Sequence, residues 1–537
     1  MVRWRINLIL ITLICLGLVL LGQLFYLQII RGDFYKALAQ GLFDIGQDRK
    51  VKDRGEIFFR NGEVLAVNID WPLVFVSPNE ITDKEKTAEQ LATIFSLNKD
   101  QILEKLKKDN LYEVIKKRIS PEEKEKIQQL NLKGVYIGKE KVRYYPQEDF
   151  ASQLVGFVDA NGEGQYGLEK FYNEVLWDEK NQKSQDIVLT VDYAIQFQAE
   201  KLLKKAKEEL KIESGEIIVM DPKTGEILAL ANFPNFNPNN YSTITDFDIF
   251  KNSATQKLFE PGSMFKPITM AAAIEEGKVT PQTTYIDNGY VKIGGWTIYN
   301  YNKKVWGERT MTEVLENSIN TGAIFAEQRL GNNNFLKYFE KFGFTKPTTI
   351  DLPEIYSENK EFKKGYDVNF VTASFGQGIE MTPIQLITAY TVFANNGKLV
   401  KPLIVKKIIS ADGVKEIESA TDTEAIISPK TASQVTAMLV SVVENGSGKL
   451  AHLPGYYIAG KTGTAQIPWS SLGINKKGYS DNSWQSFIGF APAFSPRFLI
   501  LVKLTNPQTK TSEYSAVPIF AELAKYLIDY WQIPPDY

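Results

Sequence analysis

An uncharged, mostly apolar run from residue 6 to residue 30 opens the chain, and no later apolar run approaches its length. At about 1.5 Å rise per residue, a helix over this run exceeds a hydrocarbon core of about 30 Å, so it predicts one membrane-spanning segment with room to tilt. Arg3 and Arg5 precede it. The positive-inside tendency therefore predicts a cytoplasmic tail over 1–5, with everything after Arg31 outside the cytoplasm. A cleaved signal peptide is the competing reading, because Ala37-Leu38-Ala39 resembles a cleavage site. Against it, the run is too long for a signal core, and Arg31, Asp33 and Lys36 separate the two.

Past the anchor the pattern changes twice. Residues 31–185 are mixed and rich in Lys and Glu, with Asn61-Gly62 as a tight turn between short strands. Residues 80–129 carry apolar positions at helical spacing, Leu91, Ile94, Phe95 and then Ile102, Leu103, Leu106, so their charges read as a solvated face. From 186 the spacing predicts a strand over 186–191, then a helix capped by Asp192 and reaching Leu210. A hairpin follows, 215–220 and 226–231, about Asp221-Pro222-Lys223-Thr224-Gly225. Near the other end, 457–467 is strand-like, 487–491 and 497–504 pair across Ser495-Pro496, and 516–531 is a closing apolar helix. Between them lie helices over 265–276 and from Thr382-Pro383 to Ala394. Strands at both ends with helices in the middle predict an α+β domain over 186–537, one antiparallel sheet covered by helices, behind an elongated mixed domain over 31–185.

Composition narrows the chemistry. The 537 residues carry a formal charge of −2, which argues against a nucleic-acid partner, and are 44% hydrophobic, which allows a sizeable core. There is one cysteine, Cys15 inside the apolar run, and one histidine, His452. No intrachain disulfide can form, a zinc site of His and Cys is not available, and a Ser-His or Cys-His apparatus would have to use His452. A serine activated by lysine is what remains for covalent acyl transfer.

Three ordered strings suit it: Ser263-Met264-Phe265-Lys266, Ser318-Ile319-Asn320 and Lys461-Thr462-Gly463-Thr464. Pro261-Gly262 should end a loop and start a helix, on which positions 263 and 266 share a face. A lysine with an ordinary pKa of about 10.4 is already protonated at neutral pH. Burial or a second cation, for which Lys461 is placed, would favour the neutral amine that can take the serine proton. Each string alone is weak evidence: Ser-x-x-Lys is commonly an exposed helix face, Ser318-Ile319-Asn320 could cap a turn, and Lys461-Thr462-Gly463 could end a strand.

Together and in order, they resemble the motif trio of class B penicillin-binding proteins. Arg54-Gly55 to Asn68, Arg143-Tyr144-Tyr145-Pro146 and 164–172 resemble that family's non-catalytic pedestal. Residues 221–231, 259–267, Phe375-Gly376-Gln377-Gly378 with Thr382-Pro383, and 460–466 resemble its transpeptidase domain. Asn237-Pro238-Asn239 and Met264 are mild departures. The resemblance implies a bacterial single-pass membrane protein that cross-links peptidoglycan stem peptides and is acylated by β-lactams, with no cofactor and no metal. It implies Ser263 as nucleophile, Lys266 as its base, Ser318 as proton relay and Asn320 holding the substrate amide. Lys461, Thr462 and Thr464 would hold the terminal carboxylate beside Gly463, with the N–H groups of Ser263 and Thr464 as oxyanion hole. A membrane glycosyltransferase and proteins of the division or elongation machinery are the implied partners, the Phe259-Glu260-Pro261-Gly262 lead-in leaning toward division. A carboxypeptidase or β-lactamase-like hydrolase and a non-enzymatic β-lactam sensor or scaffold stay open as alternatives.

Overall fold

The structure is a computed structural model and describes residues 2–39, 53–418 and 425–537. A helix over Val2–Phe25 continues into a wider turn, Tyr26–Ile30. Its apolar stretch Asn7–Ile30 is long enough to cross a membrane, and its most apolar window has no buried residue. The side chains of Arg3 and Arg5, on which the expected orientation rests, lie outside the described residues.

The rest divides into two compact units, residues 1–53 with 68–144 and residues 54–67 with 145–537. In the first, the charged stretch folds as the helices Lys84–Phe95, Lys99–Leu106 and Pro121–Leu130. Each starts at a side chain that accepts an orphan backbone N–H: Asp83, Asn98, and Ser120 in a capping box with Glu123. Leu91, Phe95, Ile102, Leu103 and Leu106 are buried there with Val74 and Val76, while Ile94 is only partly covered.

The second unit is organised by a five-stranded, fully antiparallel sheet in the order Ala459–Pro468, Tyr479–Ala491, Phe498–Thr505, Ser214–Met220, Ile227–Phe233. Its alternating residues feed two cores. Ile217, Val219, Ile500 and Val502 pack with the helices Tyr193–Leu210 and Ala516–Tyr530. Ile218, Met220, Leu499 and Leu501 pack into the other core with the helices Lys266–Glu275, Pro383–Ala394 and Pro429–Asn445. Burial on both faces is why these strands read as continuous apolar runs.

Two elements differ from expectation. The strand expected from 487 begins at Tyr479, because it pairs along the whole of Ala459–Pro468, Pro468 opposite Tyr479 and Thr464 opposite Gln485. Its polar first half had no apolar alternation to announce it. The strand Asp186–Leu189 joins a different, mixed sheet, parallel to Ile57–Phe58 and antiparallel to Val405–Ser410. Thr190 fastens that departure, its hydroxyl 2.7 Å from the Ile227 carbonyl and 2.9 Å from that of Leu403. A small hairpin, Tyr290–Ile293 with Trp296–Tyr299, lies between the first and second motifs in the chain.

Candidate active site

The chain enters the first motif under constraint. Gly262 adopts φ +54, its N–H donates to the Gly376 carbonyl at 3.0 Å, and Phe259 bridges Met381 on the same segment. Gly376 approaches so closely that a Cβ there would stand 2.0 Å from the Gly262 carbonyl oxygen. From this clamp runs a 3-10 turn, Gly262–Phe265, which passes directly into the helix Lys266–Glu275 with Pro267 in its first turn. The Lys266 N–H donates to the Ser263 carbonyl, and in such a turn residues i and i+3 eclipse, so both side chains leave on one face. Below them the buried Tyr390 hydroxyl donates to the Met264 carbonyl at 2.6 Å.

Ser263 is half-buried and Lys266 is fully buried. The Lys266 amine donates to the Ser318 carbonyl and to Asn320 Oδ1 at 2.8 Å, and its nitrogen lies 3.2 Å from the Ser318 hydroxyl oxygen. The shared face expected for 263 and 266 is present, and the amine is taken up by the second motif. That motif links the helices Met311–Glu316 and Asn320–Leu330, and Ser318 is held there at φ +54. A left-handed conformation costs a non-glycine residue on the order of 1 kcal/mol, and here it turns both carbonyl and hydroxyl toward the lysine.

The third motif lies on Ala459–Pro468, an edge strand of the central sheet. Lys461 is fully buried and donates to the same Ser318 hydroxyl at 3.0 Å, and to the Thr462 hydroxyl at 3.1 Å. Sharing one oxygen puts the two lysine nitrogens within about 6 Å of each other. Gly463 permits the approach of strand and turn, since a Cβ there would meet Ser486 Oγ at 2.6 Å and Met264 Cγ at 2.9 Å. The Thr464 hydroxyl donates to Ser512 Oγ at 3.2 Å.

Among the described residues no carboxylate pairs with either lysine. Burial, and then the neighbouring Lys461, hold the Lys266 amine well below the usual lysine range. Burial brings Lys461 down to about 7. Burial and the proximity of two cationic groups at one hydroxyl thus both favour the uncharged form of the Lys266 amine.

Of the eight residues singled out from sequence, Lys266, Ser318, Asn320, Lys461 and Thr462 meet in one hydrogen-bonded cluster, Ser263 shares the turn of Lys266, Gly463 abuts Met264, and Thr464 bonds to Ser512. His452 is not among them: it pairs with Glu444 at 3.0 Å on an exposed turn. Among the described residues there is no group of His, Cys, Asp and Glu that could hold a metal ion. One contributor went unnoticed. Ser447 places its hydroxyl 2.9 Å from that of Thr462, and its N–H donates to the Glu316 carbonyl at 2.9 Å. Only the Gly446-Ser447-Gly448 context could have marked it as a turn.

A family model of the penicillin binding protein transpeptidase domain matches residues 215–525, and one of the penicillin-binding protein dimerisation domain matches 50–188. Stage V sporulation protein D of Bacillus subtilis is 32% identical, over 94% of this chain and 82% of its own length. A probable peptidoglycan D,D-transpeptidase, PbpC of Pseudomonas aeruginosa, is 31% identical over 99% and 96%. The crystal structure of penicillin binding protein 3 from Mycobacterium tuberculosis complexed with aztreonam superposes with a TM-score of 0.71 at 27% identity, covering 90% of this chain and 98% of that one. With both family models matched in order and the buried lysines of the first and third motifs meeting at Ser318 of the second, the chain belongs to the class B penicillin-binding proteins, the peptidoglycan DD-transpeptidases.

Proposed function

We propose that Ser263 is the nucleophile of this DD-transpeptidase and that Lys266 is its base. The observation that carries the assignment is the fully buried Lys266 amine, one helical turn from Ser263 and bound to Ser318 and Asn320. A neutral amine donates two hydrogens and offers one lone pair, and that lone pair is the acceptor for the serine proton. Ser263 Oγ bonds to the carbonyl carbon of the penultimate D-alanine and the amide bond to the terminal D-alanine breaks. The proton passes from Lys266 through the Ser318 hydroxyl to the departing amine. An amine of a second stem peptide then bonds to the acyl carbon, the ester bond to Ser263 Oγ breaks, and the proton the amine loses returns through Lys266 to Ser263, closing the cross-link. The N–H groups of Ser263 and Thr464 would receive the oxyanion, each such donor being worth about 100- to 1000-fold in rate. Asn320 would hold the substrate amide, and Lys461 with Thr462 and Thr464, beside the side-chain-free Gly463, would hold the terminal carboxylate.

The protein is membrane-anchored by its single N-terminal helix. We assign 1–5 to the cytoplasm, 6–30 to the span, 31–185 to the pedestal and 186–537 to the transpeptidase domain outside. Its work is read as septal, beside a glycosyltransferase that supplies nascent strands, and β-lactams would acylate Ser263 as substrate mimics. The test uses the purified full chain and glycan strands polymerised from lipid-linked precursor by a separate glycosyltransferase. Wild type should give cross-linked muropeptide dimers and free D-alanine, and Ser263→Ala neither. Dimers from Ser263→Ala would overturn the nucleophile, and D-alanine without dimers from wild type would favour the hydrolase reading.

A further inference from the structure

The hairpin Tyr290–Ile293/Trp296–Tyr299 is built with one face for the protein and one for something else. Val291, Ile293 and Ile298 pack inward on Ala323, Ile324, Val371 and Phe375. Tyr290 pairs with Tyr299, and Lys292 with Thr297, on the opposite face. The two tyrosine rings lie 6.1 Å apart there and are 46% and 44% exposed. Lys292 and Lys303 hold their ammonium groups 5.9 Å and 5.1 Å from the Tyr290 and Tyr299 rings. Trp296 at the tip is 65% exposed.

This face is rigidly tied to the catalytic cleft. Asn320 Nδ2 donates to the Tyr299 carbonyl at 3.2 Å, while its Oδ1 accepts from Lys266. At the root, buried Asp287 accepts from Asn300 Nδ2, from the Gly289 and Trp306 N–H groups and, at 2.6 Å, from the hydroxyl of Thr321 in the helix that Asn320 begins. A buried network of this kind fixes geometry, and nothing in the inward packing calls for tyrosines and lysines outside. Exposed aromatic rings in a group mark binding surfaces, because they offer large rigid area at little entropic cost.

The charge selects the occupant. Between Asn288 and Gly307 the chain carries Lys292, Lys303 and Lys304 and no acidic residue, in a protein whose formal net charge is −2. A strand that offers sugar-ring C–H faces for the tyrosines and peptide carboxylates for the lysines matches this surface. We propose that the outer face of the hairpin docks the donor glycan strand, at the sugar and stem-peptide unit whose peptide end enters the cleft. The proposal rests on the assignment of that cleft to stem peptides.

The test separates docking from chemistry by using the full chain with Ser263→Ala, which binds without turnover. Soluble un-cross-linked strands bearing stem peptides are titrated against this protein and against the same protein with Tyr290→Ala and Lys292→Glu. Binding should weaken about tenfold, the loss expected for removing an aromatic anchor and reversing a charge at an interface. Tyr290→Trp, with Lys292 retained, should keep the affinity, and raised salt should weaken the parent more than the double variant. Equal affinity of parent and double variant would overturn the proposal, as would equal loss for Tyr290→Trp. Labelling of the Ser263 protein by a fluorescent penicillin tests the cleft assignment separately, so failure of either is distinguishable.

Discussion

Gly376 offers a sharp test of how Ser263, the proposed nucleophile, is held. It sits at φ +83, and an added Cβ would lie 2.0 Å from the Gly262 carbonyl oxygen, one residue before Ser263. A comfortable carbon–oxygen contact needs more than about 3 Å, so Gly376→Ala must displace one of the two backbones by about 1 Å. The displacement strains the bond from the Gly262 N–H to the Gly376 carbonyl, 3.0 Å long in the native turn. Gly365 is the control: it has the same φ of +83, and a Cβ there meets nothing within 4 Å. Gly365→Ala should therefore show the conformational cost alone, about 1 kcal/mol. Gly376→Ala should add roughly 1–3 kcal/mol for the clash and the strained bond. Because a 1 Å misplacement of reacting groups can cost about 100-fold, acylation should fall by about that factor in Gly376→Ala and by less than about threefold in Gly365→Ala. Melting temperature and the second-order rate of labelling by a fluorescent penicillin measure both effects. Equal labelling rates in the two variants would refute the claim that this contact positions Ser263.

The pH dependence of labelling should be bell-shaped. Its acid side falls as Lys266, lowered by burial and by Lys461, takes up a proton, and its alkaline side falls above about 7 as Lys461 loses the charge that holds the carboxylate. A flat profile between pH 5 and 9 would contradict these roles. Glu327, 1% exposed with Oε1 unpaired, is raised by burial to about 7. Its folded pKa exceeds the unfolded one, so wild type loses stability as pH rises from about 4.5 through 7, by on the order of 3 kcal/mol. Glu327→Gln should thus melt higher than wild type at pH 8 and not at pH 5; the same difference at both would remove Glu327 as the cause. Ser447→Ala should raise the KM for a stem-peptide substrate several-fold with little change in kcat, the loss of one hydrogen bond of about 1 kcal/mol to Thr462.

What the sequence disclosed was whatever has a local cause. Asp192 and Thr382 cap their helices as their side chains dictate, Asp192 Oδ1 accepting from Ala194 and Ile195 and Thr382 forming a capping box with Gln385. The catalytic strings were legible because acyl transfer without histidine leaves few residue types. What escaped depends on distant partners. Arg54 buries its guanidinium against Glu169, 2.9 Å away, and Gly55 has no room for a Cβ beside the Gln185 carbonyl, so residues 54–67 pack with 145–537. The engagement of Lys266 by Ser318 depends on a left-handed serine that no propensity announces. The tyrosines of the hairpin share one face through a strand register that no local signal announces.

The proposed acyl acceptor is Ser263, with the buried amine of Lys266 as its base. Intact-mass analysis of the full chain after benzylpenicillin, followed by peptide mapping, tests this assignment directly. Wild type should gain one penicilloyl mass per chain, located on the peptide containing Ser263, and Ser263→Ala should gain none. An adduct on any other residue, or one that survives in Ser263→Ala, would contradict the account.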